Sequence, residues 1–189
     1  VNRGEDRLRV ASVVSDDLGG MGLAVEHLVS QGHRLIGHLA GPDNLSTGVL
    51  RRRGFEAAMR AAKLDPCAVT IASAYSRVAG QAATAALLDR WPDLTAIAAG
   101  NDLLALGAYQ ELKARGLACP KDVSIVGHND MPLVDMVDPP LTTVRIAHAA
   151  MGRTAACLLL ERISAPDLAA SVRLIPAELI VRASSGPVR

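Results

Sequence analysis

The chain has 189 residues, 50% of them hydrophobic and 21% charged, a composition that excludes a disordered or collagen-like polymer. Its formal net charge is +1 and its one concentrated basic run is Arg51-Arg52-Arg53, so nothing in the charge suits it to grip DNA unaided. Cys67, Cys119 and Cys157 are odd in number and widely spaced, which fits neither a zinc motif nor a disulfide framework and points to a reducing, cytoplasmic setting.

Strands and helices are expected to alternate along the whole chain. Val10–Val14 is a β-branched run that reads as a strand. Asp16 or Asp17 then caps a helix that stops at Gly32. Leu35–Ala40 is the second strand, and Ser46 or Thr47 caps a helix running to about Lys63. The pattern continues with a strand at Ala68–Ala72, a helix at Arg77–Arg90, a strand at Ala96–Ala99, a helix at Asp102–Arg115 and a strand at Val123–Val126. Beyond Pro139-Pro140 come an extended segment at Leu141–Arg145, a helix at about Ala149–Ile163 and a long extended run at Val172–Val181. Strands separated by helices of this length imply right-handed crossovers and a parallel sheet flanked by helices on both faces, an α/β fold. Only 2% of residues are aromatic, so the core is aliphatic.

In open parallel sheets, ligands bind beyond the carboxyl ends of the strands. The residues standing there are Gly41-Pro42-Asp43 with Arg51 downstream, Tyr75, Gly100-Asn101-Asp102 and Gly127-His128-Asn129-Asp130. This set is rich in bidentate hydrogen-bonding groups and poor in nucleophile–base pairs, an inventory suited to a polyhydroxylated or amide-bearing small molecule. Each member has a structural alternative. Arg51 could be a solvated helix charge, Tyr75 a packed loop residue, and Gly127–Asp130 a plain turn. Asn101 or Asp102 could cap the following helix, with Asp102 favoured as the cap and Asn101 as the ligand contact. His27, His33 and His38 read as packing or surface residues, and no metal or cofactor motif is present. The nucleophile elbow, the phosphate loop and the zinc-protease helix are likewise missing from the sequence.

The motifs, taken in order, resemble a family. Asp16-Asp17-Leu18-Gly19-Gly20, Leu23–Leu28 with His27, and Gly32-His33-Arg34 with Ile36 are similar to the D-N-x-x-G-G…A-x-x-H-L…G-H-x-x-I segment of the lactose-repressor/galactose-repressor regulators. Ala40-Gly41-Pro42, Ser46-Thr47 and Arg51-x-x-Gly54-Phe55 resemble its next block, and Asn101-Asp102-x-x-Ala105-x-Gly107 the one after. Pro120-x-Asp122–Gly127 follows, and Pro139–Val144 with Met151-Gly152 is the most specific match.

The resemblance implies a periplasmic-binding-protein-like core of type I with two α/β lobes and an effector between them. Residues 1–15 would end the first lobe, 16–142 would form the complete second lobe, 143–170 would return to the first, and 171–189 would cross back as a final strand and tail. A DNA-binding head and most of the first lobe would precede Val1, so that operator DNA is reached only through that missing part; the absence of an initiator Met fits a fragment. By the same resemblance Arg51 grips effector hydroxyls or carboxylates, Tyr75 stacks on the ligand, and Asn101 is the Asn of the A-N-D motif, with Gly100 in place of Ala. Asn129 stands where many sugar-responsive members have Asp, His148 where an aromatic is common, and Asn2 where Asp is common. These changes leave open an unusual sugar, a nucleoside or another polar metabolite. A homodimer is implied, with the helix faces Leu23–Val29 and Met59/Ala62 as candidate contacts. A periplasmic-type sugar-binding protein and a small α/β enzyme are the competing expectations.

Overall fold

The computed structural model describes residues 10–188. In chain order the elements are β1 (Ser12–Ser15), α1 (Asp17–Ser30), β2 (Ile36–Ala40), α2 (Ser46–Ala61), β3 (Val69–Ile71), α3 (Arg77–Arg90) and β4 (Ala96–Ala99). They continue with α4 (Asp102–Ala114), β5 (Ser124–Asn129), β6 (Thr142–Arg145), α5 (His148–Ser164), β7 (Val172–Ile175) and β8 (Glu178–Ile180). Six strands form one sheet in the order β3-β2-β4-β5-β6-β8, and β1 pairs with β7 in a separate two-stranded sheet. The fold is α/β with a mostly parallel sheet flanked by helices, as the sequence pattern requires.

Local chemistry sets the boundaries. Asp16 caps α1, its side chain accepting from the Gly19 amide, and Ser76 caps α3 in the same way through Ala79. That satisfies one of the donors a helix start leaves over. α2 departs from expectation: Leu45 occupies its cap position without a side-chain cap bond, and Ser46 is already helical.

Two apolar cores cover the two faces of the main sheet. α1 and α2 bury Met21, Val25, Leu28, Phe55 and Met59 against Ile36, Ala98 and Val126. On the other face α3 and α4 bury Leu87, Leu104 and Leu112 against Leu39, Ile97 and Ile125. Each fully buried large side chain contributes about 1.5–3 kcal/mol relative to exposure. Strands buried on both faces need no alternation, and β2, β4 and most of β5 are continuously buried.

Two expectations are corrected. The extended run 172–181 is not one strand: β7 joins the small sheet, the chain passes through Pro176-Ala177, and β8 joins the main sheet antiparallel to β6. Pro176 cannot donate to a ladder, so pairing is interrupted there. The candidate dimer faces are also largely internal, because Val25, Leu28 and Met59 are completely buried within the chain, while Leu23 and Glu26 are exposed. The exposed large apolar residues instead include Leu159, Leu160 and Ile163 of α5 and Leu174 of β7.

The chain passes between the two sheets three times: at Asp16 from β1 into α1, at Ile146-Ala147 from β6 into α5, and at Pro176-Ala177 from β7 into β8. The Asp16 amide donates to the Ile175 carbonyl at 2.9 Å, so two of these passages lie side by side.

Candidate ligand-binding site

Parallel strands all end at the same edge of a sheet, and the helices that follow begin there. The connection from β2 leads outward to β3 and then back past β2 to β4. The strand order therefore reverses between β2 and β4, the place where open α/β sheets form a crevice.

Arg51, in the second turn of α2, reaches into that crevice. Its Nε and Nη2 both lie 2.8 Å from Asp17 Oδ1, and Nη1 donates to the Gly100 carbonyl at 2.7 Å. Arg51 is only 2% exposed, which rules out the solvated-charge alternative. One side chain thus ties the start of α1 to the exit of β4. Burial pushes the Asp17 carboxyl up from its ordinary value, and the Arg51 guanidinium opposes that shift.

Asn101 follows Gly100 directly. Its Oδ1 accepts from the Leu104 amide at 2.9 Å, so Asn101, and not Asp102, is the cap of α4. Among the described residues its amide NH2 group makes no hydrogen bond. Asp102 is fully buried and accepts from Thr143 Oγ1 at 2.6 Å and the Met131 amide at 2.8 Å. Burial raises its pKa, and those two bonds oppose the rise. The close approach depends on Gly127, where a Cβ would overlap Asp102 Oδ1 and meet Leu141 Cδ2 at 2.9 Å.

Tyr75 lies in the loop after β3 with its ring against Gly41, where a Cβ would overlap the ring. Its hydroxyl is buried and has no hydrogen-bond partner among the described residues. Asn129 ends β5 at φ +124°, and Asp130 follows at φ +53°. The Asn129 Oδ1 is likewise buried and unpaired among the described residues. Buried polar atoms without partners are rare in folded proteins.

Arg51, Tyr75, Asn101 and Asn129 therefore stand at the ends of consecutive strands β2 to β5. His148 is exposed as the first residue of α5. Asn2 is outside the described residues.

The sequence placed His128 among the strand-end residues and read His38 as a packing or surface residue, without showing that both are fully buried. His128 is fully buried beneath the strand ends, with neither ring nitrogen paired among the described residues and Nε2 3.7 Å from Asp17 Oδ1. Burial, and then the Arg51 charge, hold its pKa well below the ordinary value. His38 on β2 stacks on Phe55, with ring centroids 4.8 Å apart, and contacts the Ala98 carbonyl through Nδ1 at 2.7 Å. A carbonyl only accepts, so Nδ1 carries the proton; burial lowers the pKa to about 4. The available signal was an imidazole inside an otherwise apolar strand run, as in Ile36–Ala40.

No group of three or more His, Cys, Asp or Glu side chains could hold a metal ion among the described residues. Cys119 lies away from the strand ends, and burial pushes its thiol up to about 12. Cavities lie elsewhere too, one of about 580 Å³ beside Tyr109 and Pro139, one of about 470 Å³ beside Leu88 and Lys121 and one of about 350 Å³ between α5 and β1.

Known proteins share this fold. Residues 25–185 match the periplasmic binding protein-like domain family. The HTH-type transcriptional regulator MalR of Streptomyces coelicolor is 41% identical over 176 residues, covering 90% of this chain and 50% of MalR. A structure of the transcriptional regulator CelR in complex with cellobiose superposes with a TM-score of 0.90 at 34% identity, covering 96% of this chain and 56% of that one. A lac repressor dimer bound to operator and the anti-inducer ONPF superposes with a TM-score of 0.90 at 29% identity, covering 97% of this chain and 64% of that one. The chain spans about half the length of the curated relatives it matches. With its crevice at the β2/β4 reversal and its match over residues 25–185, the chain belongs to the periplasmic binding protein-like domain family, in the form carried by the LacI-type transcriptional regulators.

Proposed function

We propose that the chain is the ligand-sensing core of a transcriptional regulator, which takes a small, uncharged, polar effector at the ends of β2–β5 and thereby shifts affinity for operator DNA. The observation that carries this reading is the convergence of Arg51, Tyr75, Asn101 and Asn129 there, with the Tyr75 hydroxyl and Asn129 Oδ1 buried and unpaired. The charges around the site are already compensated. Arg51 pairs with Asp17, Asp130 with Arg145 and Arg182, and Asp102 accepts two hydrogen bonds. What remains is a set of neutral donors and acceptors, which suits hydroxyl-rich sugars or nucleosides and disfavours a carboxylate or phosphate. The cellobiose complex of CelR supports a sugar, and the operator-bound lac repressor dimer supports both the DNA link and a homodimer. On this reading, operator contact falls to the part of those relatives that this chain does not span. The effector acts by binding one arrangement of the two sheets better than another, since only differential affinity moves such an equilibrium.

The test is a thermal-shift panel of cellobiose, ribose and uridine beside gluconate and glucose 6-phosphate. A molecule bound to the native state stabilises it by about 2.7 kcal/mol at a hundred times its Kd. A rise in Tm with an uncharged member supports the reading. A response confined to the anionic members, or no response at all, overturns it.

A further inference from the structure

The turn after β5 holds two consecutive non-glycine residues at positive φ, Asn129 at +124° and Asp130 at +53°. Such conformations are costly and persist only where the surroundings over-determine them. The surroundings here are charged groups from distant parts of the chain. Asp130 Oδ2 accepts from Arg145 Nε at 2.7 Å, and Asp130 Oδ1 from Arg182 Nη2 at 2.8 Å. Arg145 is the last residue of β6, and Arg182 follows β8. Arg182 is anchored in turn by Nη1 on the Leu141 carbonyl at 2.8 Å and by its own amide on Thr142 Oγ1 at 2.9 Å. The turn is pinned on its other side as well, where the Met131 amide donates to Asp102 at 2.8 Å.

Two of the three passages between the sheets meet this clamp. The Ile146 amide faces the Asn129 carbonyl at 3.5 Å, and Arg145 Nη1 lies 3.8 Å from Glu178 Oε2 at the start of β8. Asn129 therefore sits on a carboxylate that also holds the chain where it leaves and re-enters the main sheet.

We propose that Asp130 is the positioning residue of the effector site: clamped by Arg145 and Arg182, it holds the left-handed turn that presents the Asn129 amide, and it links occupancy of that amide to the passages at Ile146-Ala147 and Pro176-Ala177. In this proposal Asp130 acts through Asn129, each of its carboxylate oxygens being held by one arginine. The inference rests on the strand ends being an effector site, and the experiment separates the two.

One arm needs no effector. Backbone hydrogen–deuterium exchange of the unliganded chain is compared between wild type and Asp130→Asn, which keeps size and polarity but removes the charge. Faster exchange confined to Met131, Ile146 and Glu178 is the expected result, while β2 and β4 stay protected. Unchanged exchange at all three overturns the clamp. The other arm is a double-mutant cycle with whichever of cellobiose, ribose or uridine raises the Tm. Asp130→Asn should weaken binding roughly ten-fold in the wild-type background, the scale of one lost charge-assisted bond. It should add nothing once Asn129→Ala is present, because a residue acting through Asn129 has nothing left to position. Full additivity with Asn129→Ala would show a merely structural role and overturn the proposal. If none of the three binds, the effector reading fails and the exchange arm alone decides the clamp.

Discussion

Arg51 and Asp17 form an ion pair in which two guanidinium nitrogens converge on a single carboxylate oxygen at 2.8 Å, with both side chains at most 3% exposed. Two charges removed from water tolerate each other only as a pair. Removing one partner strands the other, at a cost of about 3–5 kcal/mol, whereas replacing both with apolar residues of similar volume is often neutral. Arg51→Ala and Asp17→Ala should therefore each destabilise the chain by several kcal/mol in chemical denaturation, and Arg51→Met with Asp17→Leu by much less. Equal losses in singles and double would show that the pair is not the unit.

His38 and His128 make stability depend on pH with a defined sign. Burial holds the His38 pKa at about 4 and that of His128 well below 6.5, so the folded state binds fewer protons than the unfolded one below pH 6.5. Their stabilising contribution is complete above the unfolded pKa and is lost as pH falls towards the folded one. From pH 7 to 5 the loss is about 2 kcal/mol for His38, and His128 adds to it in the same direction. Asp17 and Asp102, raised by burial, act in the opposite sense above 3.8. The histidine share is therefore read from a variant: His128→Leu should flatten the acid limb while leaving stability near pH 7 almost unchanged. An acid limb as steep as that of the wild type would contradict the account.

Gly127 permits Asp102 to reach Thr143 and Met131. Gly127→Ala would place a methyl group on Asp102 Oδ1 and against Leu141, and overpacking of this kind typically costs about 1–3 kcal/mol. The expected outcome in urea unfolding is a loss in that range, together with faster exchange of the Met131 amide. A variant as stable as wild type would mean that Asp102 relaxes freely.

Much of this was legible beforehand, and what was not has physical causes. The helix Arg77–Arg90 and the strand Ala96–Ala99 fall where pattern and capping chemistry place them, because nothing competes with the local signal. Asn101 and Asp102 exchanged roles between cap and buried anchor because both side chains make good caps, and only the neighbouring Thr143, distant in sequence, decides between them. The run 172–181 hid a change of sheet, since two short strands separated by Pro176-Ala177 have the same composition as one long strand. Arg51 was found by position, but its partner Asp17 lies 34 residues away and no local pattern links them.

Capping and ligand contact separate at Asn101. Asn101→Ala should cost about 1 kcal/mol through loss of the cap on α4, whereas Asn101→Ser keeps an N-cap oxygen and should stay within a few tenths of wild type. Circular-dichroism melting of the two variants checks this, and equal losses would deny the cap its role.

The central claim, that the ends of β2–β5 bind an uncharged effector, is tested most directly by calorimetric titration. The titrant is whichever of cellobiose, ribose or uridine raises the Tm, and the proteins are wild type, Asn101→Ser and Asn129→Ala. The account predicts one site per chain and binding weakened roughly ten-fold by each substitution, the scale of one lost hydrogen bond to a buried polar group, with unliganded melting of Asn101→Ser close to that of wild type. Affinity unchanged in both variants would place the ligand elsewhere and contradict it.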